Sequence, residues 1–238
     1  MENLLTETWS VSGWFTNLGI EWGIGSVLYN GYSPTLLITY NIGITMTITR
    51  ALISVTDKTN LHKLAPFLVD RGVQLISTGG TLKYLKQHNI KVTDISVFTG
   101  FPEMMNGRLK TLHPKIHGGI LHRRDEEVDA ELATEQGIEL IDLVVVNLYN
   151  FEKTISNPHS TIEDSIENID IGGPTLLRAA AKNHKHVTVL SNPSDYDEFM
   201  DRYDTNTEAL RRRYAQKVFA QTAKYDDIIS LYLYRNLF

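Results

Sequence analysis

Ala51-Leu52-Ile53-Ser54-Val55-Thr56-Asp57-Lys58-Thr59 is the stretch that decides the fold. A short apolar run that breaks into Thr-Asp-Lys-Thr reads as a buried strand ending in a turn with a helix N-cap. Leu61, Leu64, Ala65 and Leu68 then recur at helical spacing. Downstream, Val73-Gln74-Leu75-Ile76 predicts a second strand, closed by Ser77-Thr78-Gly79-Gly80-Thr81. Leu82 and Leu85 share one face of the helix that follows, and Val92 to Val97 reads as a third strand. Within Leu140 to Asn147, Leu143-Val144-Val145-Val146 is apolar on both faces, as a central parallel strand must be. Pro174 to Asn183 reads as a helix and Val187-Thr188-Val189-Leu190 as the last strand. Residues 208 to 235 carry Tyr214, Val218, Thr222, Tyr225, Ile229 and Tyr232 on one stripe, which predicts a long C-terminal amphipathic helix. Strands alternating with helices imply a parallel α/β sheet with helices on both faces. In such sheets ligands sit beyond the carboxyl ends of the strands.

The region before this pattern differs. Residues 1–45 hold no Lys or Arg, only Glu2, Glu7 and Glu21 as charges, and all three tryptophans. No helical or strand period is visible there, and a secretory signal would need a positive n-region that is missing. Residues 1–45 therefore read as a poorly ordered extension of unknown role, and 46–238 as the folded domain.

Across the chain, 42% hydrophobic and 21% charged residues are ordinary for a soluble globular protein. There is no cysteine, which excludes disulfides, thiolate chemistry and cysteine-ligated zinc, and fits a reducing compartment such as the cytoplasm. The net charge of −5 disfavours nucleic-acid binding, so an anionic ligand needs a local basic cluster. No apolar run reaches the roughly 18 to 20 residues that span a membrane, so no membrane partner is expected.

Four segments carry candidate chemistry. Ser77-Thr78-Gly79-Gly80-Thr81 places two glycines before a helix whose N–H groups and dipole suit a phosphate. It also suits an ordinary strand-to-helix turn. Thr56-Asp57-Lys58-Thr59, at the end of a strand of the same sheet, adds a point charge for the same anion or is a solvated cap. Gly107-Arg108-Leu109-Lys110-Thr111-Leu112-His113-Pro114 alternates Arg108 and Lys110 on one side of an extended segment. His113 and His117 are four apart, but Pro114 argues against one helix presenting both, and no metal is expected. Asp170-Ile171-Gly172-Gly173-Pro174 and Ala179-Ala180-Ala181-Lys182-Asn183-His184 offer a carboxylate and a lysine. Brought together in a cleft, these two would be a proton-transfer pair. The run Arg211-Arg212-Arg213 reads as a solvated face.

Taken in order, these segments resemble one family. With Phe101-Pro102-Glu103-Met104 and Asn147-Leu148-Tyr149 they are similar to the N-terminal IMP cyclohydrolase domain of the bifunctional purine-biosynthesis enzyme, over about residues 48 to 238. The resemblance implies a methylglyoxal-synthase-like fold. It also implies dehydrative ring closure of 5-formamidoimidazole-4-carboxamide ribonucleotide to inosine monophosphate, with no cofactor. It places nucleotide contacts at Thr56, Asp57, Lys58, Thr78, Gly79, Gly80, Thr81, Arg108, Thr111, Val146, Asn147 and Ile169. Catalytic roles fall on Lys110, Tyr149, Asp170 and Lys182. The purine nucleotide substrate and product are the expected partners, and a monomer or weak homodimer the expected state.

Three features depart from the family, the first being residues 1–45, which match nothing in it. Asn150 stands where the family has a proline after Asn-Leu-Tyr, and the chain stops where the family continues into a formyl-transferring domain. Formyl transfer is therefore not expected. The rival readings are a nucleotide-sensing module of the same fold, methylglyoxal synthase itself and an inactive fragment. The first would not need Lys110, Tyr149 and Lys182, and the Arg108–Pro114 and Ala179–His184 motifs argue against the second. A chain begun at Met46 is expected to keep the activity of the whole, and a large loss of turnover with the fold intact would show that residues 1–45 take part.

Overall fold

Five strands pair in parallel: β5 (Arg50–Val55), β6 (Gln74–Ser77), β7 (Thr93–Asp94), β8 (Leu143–Asn147) and β9 (Thr188–Leu190). They belong to a computed structural model that describes residues 47–237. Before them it describes the backbone of two antiparallel hairpins, β1 (Gly13–Phe15) with β2 (Ile20–Trp22) and β3 (Leu28–Asn30) with β4 (Ser33–Thr35). The chain divides into two units, Met1–Thr45 and Met46–Phe238. The order of residues 1–45 as a whole and their part in catalysis lie outside the described residues.

In the second unit the sheet order is β7-β6-β5-β8-β9. Leu52 of β5 stands between Ile76 of β6 and Val144 of β8, and Val144 pairs in turn with Val189. All five residues of β8 are buried. Successive side chains of a strand point to opposite faces, so both faces of the sheet are covered. The chain first moves outward from β5 through α1 (Leu61–Asp70) to β6, and through α2 (Gly79–Gln87) to β7. It then returns by α3 (Ile95–Thr99), α4 (Pro114–Leu121) and α5 (Glu127–Glu135) to the other side of β5, where β8 runs. From β8 it continues through α6 (Phe151–Ile155), α7 (Ile162–Glu167) and α8 (Gly172–Lys182) to β9, then α9 (Tyr196–Asp201) and α10 (Glu208–Arg235). The direction of winding reverses between β5 and β8, and a crevice opens at their carboxyl ends.

Side chains lock that reversal. At its upper end Asn147, the last residue of β8, accepts from the N–H groups of Thr56 (2.7 Å) and Asp57 (3.0 Å) and donates to the carbonyl of Asp57 (2.9 Å). At the lower end the buried carboxylate of Asp142 accepts from Thr49 N (2.7 Å), Thr49 Oγ1 (2.7 Å) and Arg50 N (2.9 Å). It also pairs with Arg124 at 2.7 Å. The switch between β5 and β8 is thus closed by polar groups at both ends of an apolar strand pair.

Two expectations are corrected. Residues 92–97 are not a strand: β7 is only Thr93–Asp94, and α3 begins at Ile95. Asp94 Oδ1 accepts from Ser96 N at 3.0 Å, and this N-cap turns the chain out of the sheet. Arg211 is not a solvated residue either, being 6% exposed. Its guanidinium donates to the carbonyls of His184 (2.8 Å), Lys185 (2.8 Å) and Asn206, which ties α10 to the turn after α8. Of the predicted stripe of α10, Tyr214, Val218, Thr222 and Tyr225 are buried and Ile229 and Tyr232 only partly so, and the helix packs on α8 and β9.

Asp142→Ala would leave Arg124 and three donors without their acceptor, so it should cost about 3 kcal/mol of unfolding free energy. Urea denaturation reads this as a lower midpoint, and an unchanged midpoint would show that the lower lock is idle.

Candidate active site

Above the β5–β8 switch lies a cleft of about 670 Å³, within the range of small-molecule sites. The elements around it bring most of the expected residues together. Thr56, Lys58, Thr78, Gly79, Gly80, Thr81, Arg108, Lys110, Thr111, Val146, Asn147, Tyr149, Ile169 and Asp170 all line it.

One end is made of backbone. Gly79 opens α2 at φ +53°, a left-handed conformation that a Cβ penalises. Thr78, the N-cap, is extended and offers no side-chain bond to the helix. The first N–H groups of α2 therefore face the cleft without helical partners. Two of the neighbouring hydroxyls are engaged elsewhere. Ser77 Oγ donates to Ile53 O at 2.7 Å. Thr81 Oγ1 donates to Val55 O and accepts from Val55 N, both at 2.9 Å. These bonds anchor α2 to β5, so anion recognition falls on main-chain N–H groups. Lys110 supplies the charge: its Nζ stands 3.7 Å from where a Cβ of Gly79 would be.

The other end is made of side chains. Asp170 Oδ1 accepts from Gly173 N at 2.8 Å, and the N–H of Tyr149 also favours the charged carboxylate. Burial raises its proton affinity above that of an ordinary aspartate, against the opposing pull of those two N–H groups and of Lys110. Gly172 and Gly173 make the approach possible. A Cβ on Gly172 would stand 2.8 Å from Thr111 Oγ1, and one on Gly173 would strike the Asp170 carboxylate. Tyr149 is half exposed, on the loop between β8 and α6. Where the family has proline, Asn150 accepts from Lys153 N at 3.0 Å and caps α6, so the position still starts a helix.

The loop bearing Arg108 is tightly wound. Met105, Asn106 and Gly107 follow one another at φ 53°, 54° and 87°, between paired Met104 and Leu109. Such conformations cost a non-glycine residue roughly 1 kcal/mol or more and gather at functional sites. Arg108 Nε donates to Glu167 Oε1 at 3.1 Å, and its Nη2 pairs with the other carboxylate oxygen across the cleft mouth. An arriving anion competes with Glu167 for Arg108.

Three expected residues behave differently. Asn147 lines the cleft, but its amide is engaged with residues 56 and 57 as described above. Asp57 does not line the cleft; the hydroxyl and then the N–H of Thr59, the latter at 2.9 Å, hold its carboxylate below the usual aspartate range. Lys182 is not paired with Asp170. It is exposed at the last residue of α8, about 15 Å along the axis from Gly172 at the usual helical rise. The sequence reading missed Glu167, Asn106 and Tyr225. Only the Asn-Gly pair at 106–107 carried a local signal, that of a tight turn.

Residues 60–175 match the MGS-like domain, and residues 180–237 match the AICARFT/IMPCHase bienzyme. The bifunctional purine biosynthesis protein PurH of Bacillus mycoides (strain KBAB4) is 51% identical over 191 residues, 79% of this chain and 37% of that protein. That of Leptospira biflexa serovar Patoc (strain Patoc 1 / Ames) is 50% identical over 194 residues, 80% and 38%. The chain thus spans a little over a third of the length of these curated relatives. A solved structure described as the crystal structure of ForH superposes with a TM-score of 0.69 at 34% identity, covering 76% of this chain and 95% of that one.

Asp170 should titrate above the ordinary aspartate value of 3.8, readable from its carboxyl carbon by NMR. A raised folded pKa means the folded chain holds the proton more tightly than the unfolded one. Its contribution to stability is therefore full below 3.8 and is lost as pH rises through the folded value. Asp170→Asn should remove that slope, and a midpoint at or below 3.8 would count against the burial argument. By the extent of these similarities, the chain belongs to the AICARFT/IMPCHase family and carries its MGS-like domain.

Proposed function

We propose that this chain is an IMP cyclohydrolase, closing the second ring of inosine monophosphate from the 5-formamido-4-carboxamide ribonucleotide. The observation that carries the reading is the polarity of the cleft. Free N–H groups of α2 and Lys110 stand at one end, and a carboxylate of raised proton affinity at the other. A mononucleotide has the matching polarity, with phosphate at one end and base at the other.

In the reaction the carboxamide nitrogen attacks the formyl carbon and a C–N bond forms. The attacking nitrogen gives up one proton and the formamido nitrogen another. Both leave with the former formyl oxygen as water, and a C=N bond closes the ring. An amide nitrogen is a poor nucleophile, so a base must take its proton during attack. We assign that role to Asp170. The formyl oxygen gains negative charge and needs donors already in place. Tyr149, half exposed on the adjoining loop, is the donor we assign to it. Because both reacting arms belong to one molecule, holding them in line supplies much of the acceleration. Lys182 is left out of this assignment, since it stands at the far end of α8.

The alternative is a nucleotide-sensing module, which would need the α2 end but not Asp170. The same reading puts the protein in the cytoplasm. It makes the chain a monomer or weak dimer, because the apolar stripe of α10 is already buried on α8 and β9.

An absorbance assay for IMP formation should show turnover by the wild-type chain. Asp170→Asn should lower kcat by about 100-fold or more while changing product affinity much less. A chain that binds IMP without turnover would favour the sensing module. In calorimetry IMP should bind far more tightly than inosine, because charge-assisted bonds contribute about 1.5 to 3 kcal/mol each. Equal affinities would remove the phosphate assignment.

A further inference from the structure

Asp170 is held by more than its own loop. Its peptide N–H donates to the hydroxyl oxygen of Tyr225 at 2.8 Å, across 55 positions of sequence. Tyr225 belongs to the buried stripe of α10 and is 7% exposed. Its ring meets Phe151 edge-on with centroids 6.3 Å apart, and Tyr232, two turns further along α10, meets the same ring at 5.5 Å. Phe151 opens α6, two residues after Tyr149. One helix therefore reaches both loops at the reacting end of the cleft, one by a hydrogen bond and the other by aromatic edges.

We infer that Tyr225 is a positioning residue for ring closure, fixing the proton-accepting Asp170 through its peptide N–H. The inference rests on the cyclohydrolase reading above. Asp170 sits between Ile169 and Ile171, just before the Gly172-Gly173 pair that opens α8. A base must meet the proton it takes within hydrogen-bond reach, and a small rotation of this peptide would carry the carboxylate away. The tyrosine oxygen is the acceptor that prevents it. A phenylalanine fills the same space but accepts nothing. The segment matching the MGS-like domain ends at residue 175, whereas Tyr225 lies within the segment 180–237 that matches the AICARFT/IMPCHase bienzyme, both within one compact unit.

Tyr225→Phe in the full chain is the test, with Tyr214→Phe as its control. Tyr214 is a buried tyrosine of the same helix whose hydroxyl has no hydrogen-bond partner among the described residues. In Tyr225→Phe, kcat should fall about tenfold while the dissociation constant for IMP stays within about twofold. Amide exchange at Asp170 should quicken by about tenfold, with β5 and β8 as protected as before. Tyr214→Phe should change none of these. Unchanged exchange at Asp170 would overturn the inference, as would turnover and IMP affinity falling together, the mark of general loosening. If the wild-type chain fails to close the ring, the cyclohydrolase reading falls. The exchange measurement then still decides whether Tyr225 holds Asp170.

Discussion

The amide of Asn147 is the interaction on which the rest of the site depends. A doubly wound sheet leaves its two middle strands, β5 and β8, diverging into loops that run to opposite sides. Nothing in a parallel ladder holds those loops at a fixed separation above the last strand pair. Asn147 does so with three bonds, two accepted and one donated, all to the backbone of residues 56 and 57. An amide suits this position because it offers a donor and an acceptor at once, whereas a carboxylate would repel the Asp57 carbonyl. The width of the cleft, and hence the distance between its two ends, follows from that span.

From this constraint the two ends are built by different means. At the α2 end the polar side chains are engaged in structure, Thr81 and Ser77 bonding the β5 backbone. Recognition there is left to main-chain N–H groups, which are rigid, and to the one flexible charge of Lys110. At the α8 end the main chain is the support, with the N–H of Gly173 on the carboxylate, and a side chain carries the chemistry. The first arrangement favours a charge that is permanent. The second tolerates a group that must gain and lose a proton, since burial and the N–H bonds oppose each other in setting its affinity.

Much of this was legible in the sequence because it is local. The apolar runs at 51–55 and 143–146 read as central strands, and both are buried on both faces. The long stripe from Tyr214 to Tyr225 read as a helix face, and it is the buried one. The Gly79-Gly80 and Gly172-Gly173 pairs both reach the cleft, since each marks a place where backbone must come close to something. What was not legible depends on distances along the chain that no period reports. Arg211 looked like its neighbours Arg212 and Arg213, but helical phase turns it inward to three carbonyls. Val92 to Val97 looked like a strand until the side chain of Asp94 capped a helix within it. Lys182 and Asp170 share a conspicuous run of sequence, but a straight helix of eleven residues separates them.

That last pair stands at opposite ends of one helix. Gly172 to Lys182 is one rigid helix, so its N-terminus and C-terminus cannot both face a cleft of this size unless the cleft wraps around it. The partner that Asp170 finds instead is Tyr225, distant in sequence and placed by the packing of α10 on α8. The packing of that helix rests in turn on Arg211, which ties the start of α10 to the turn after α8. A chain of contacts therefore runs from a buried guanidinium at one end of α10 to the peptide of Asp170 beside its middle. Each link is a hydrogen bond to backbone, which holds position without adding charge to the cleft.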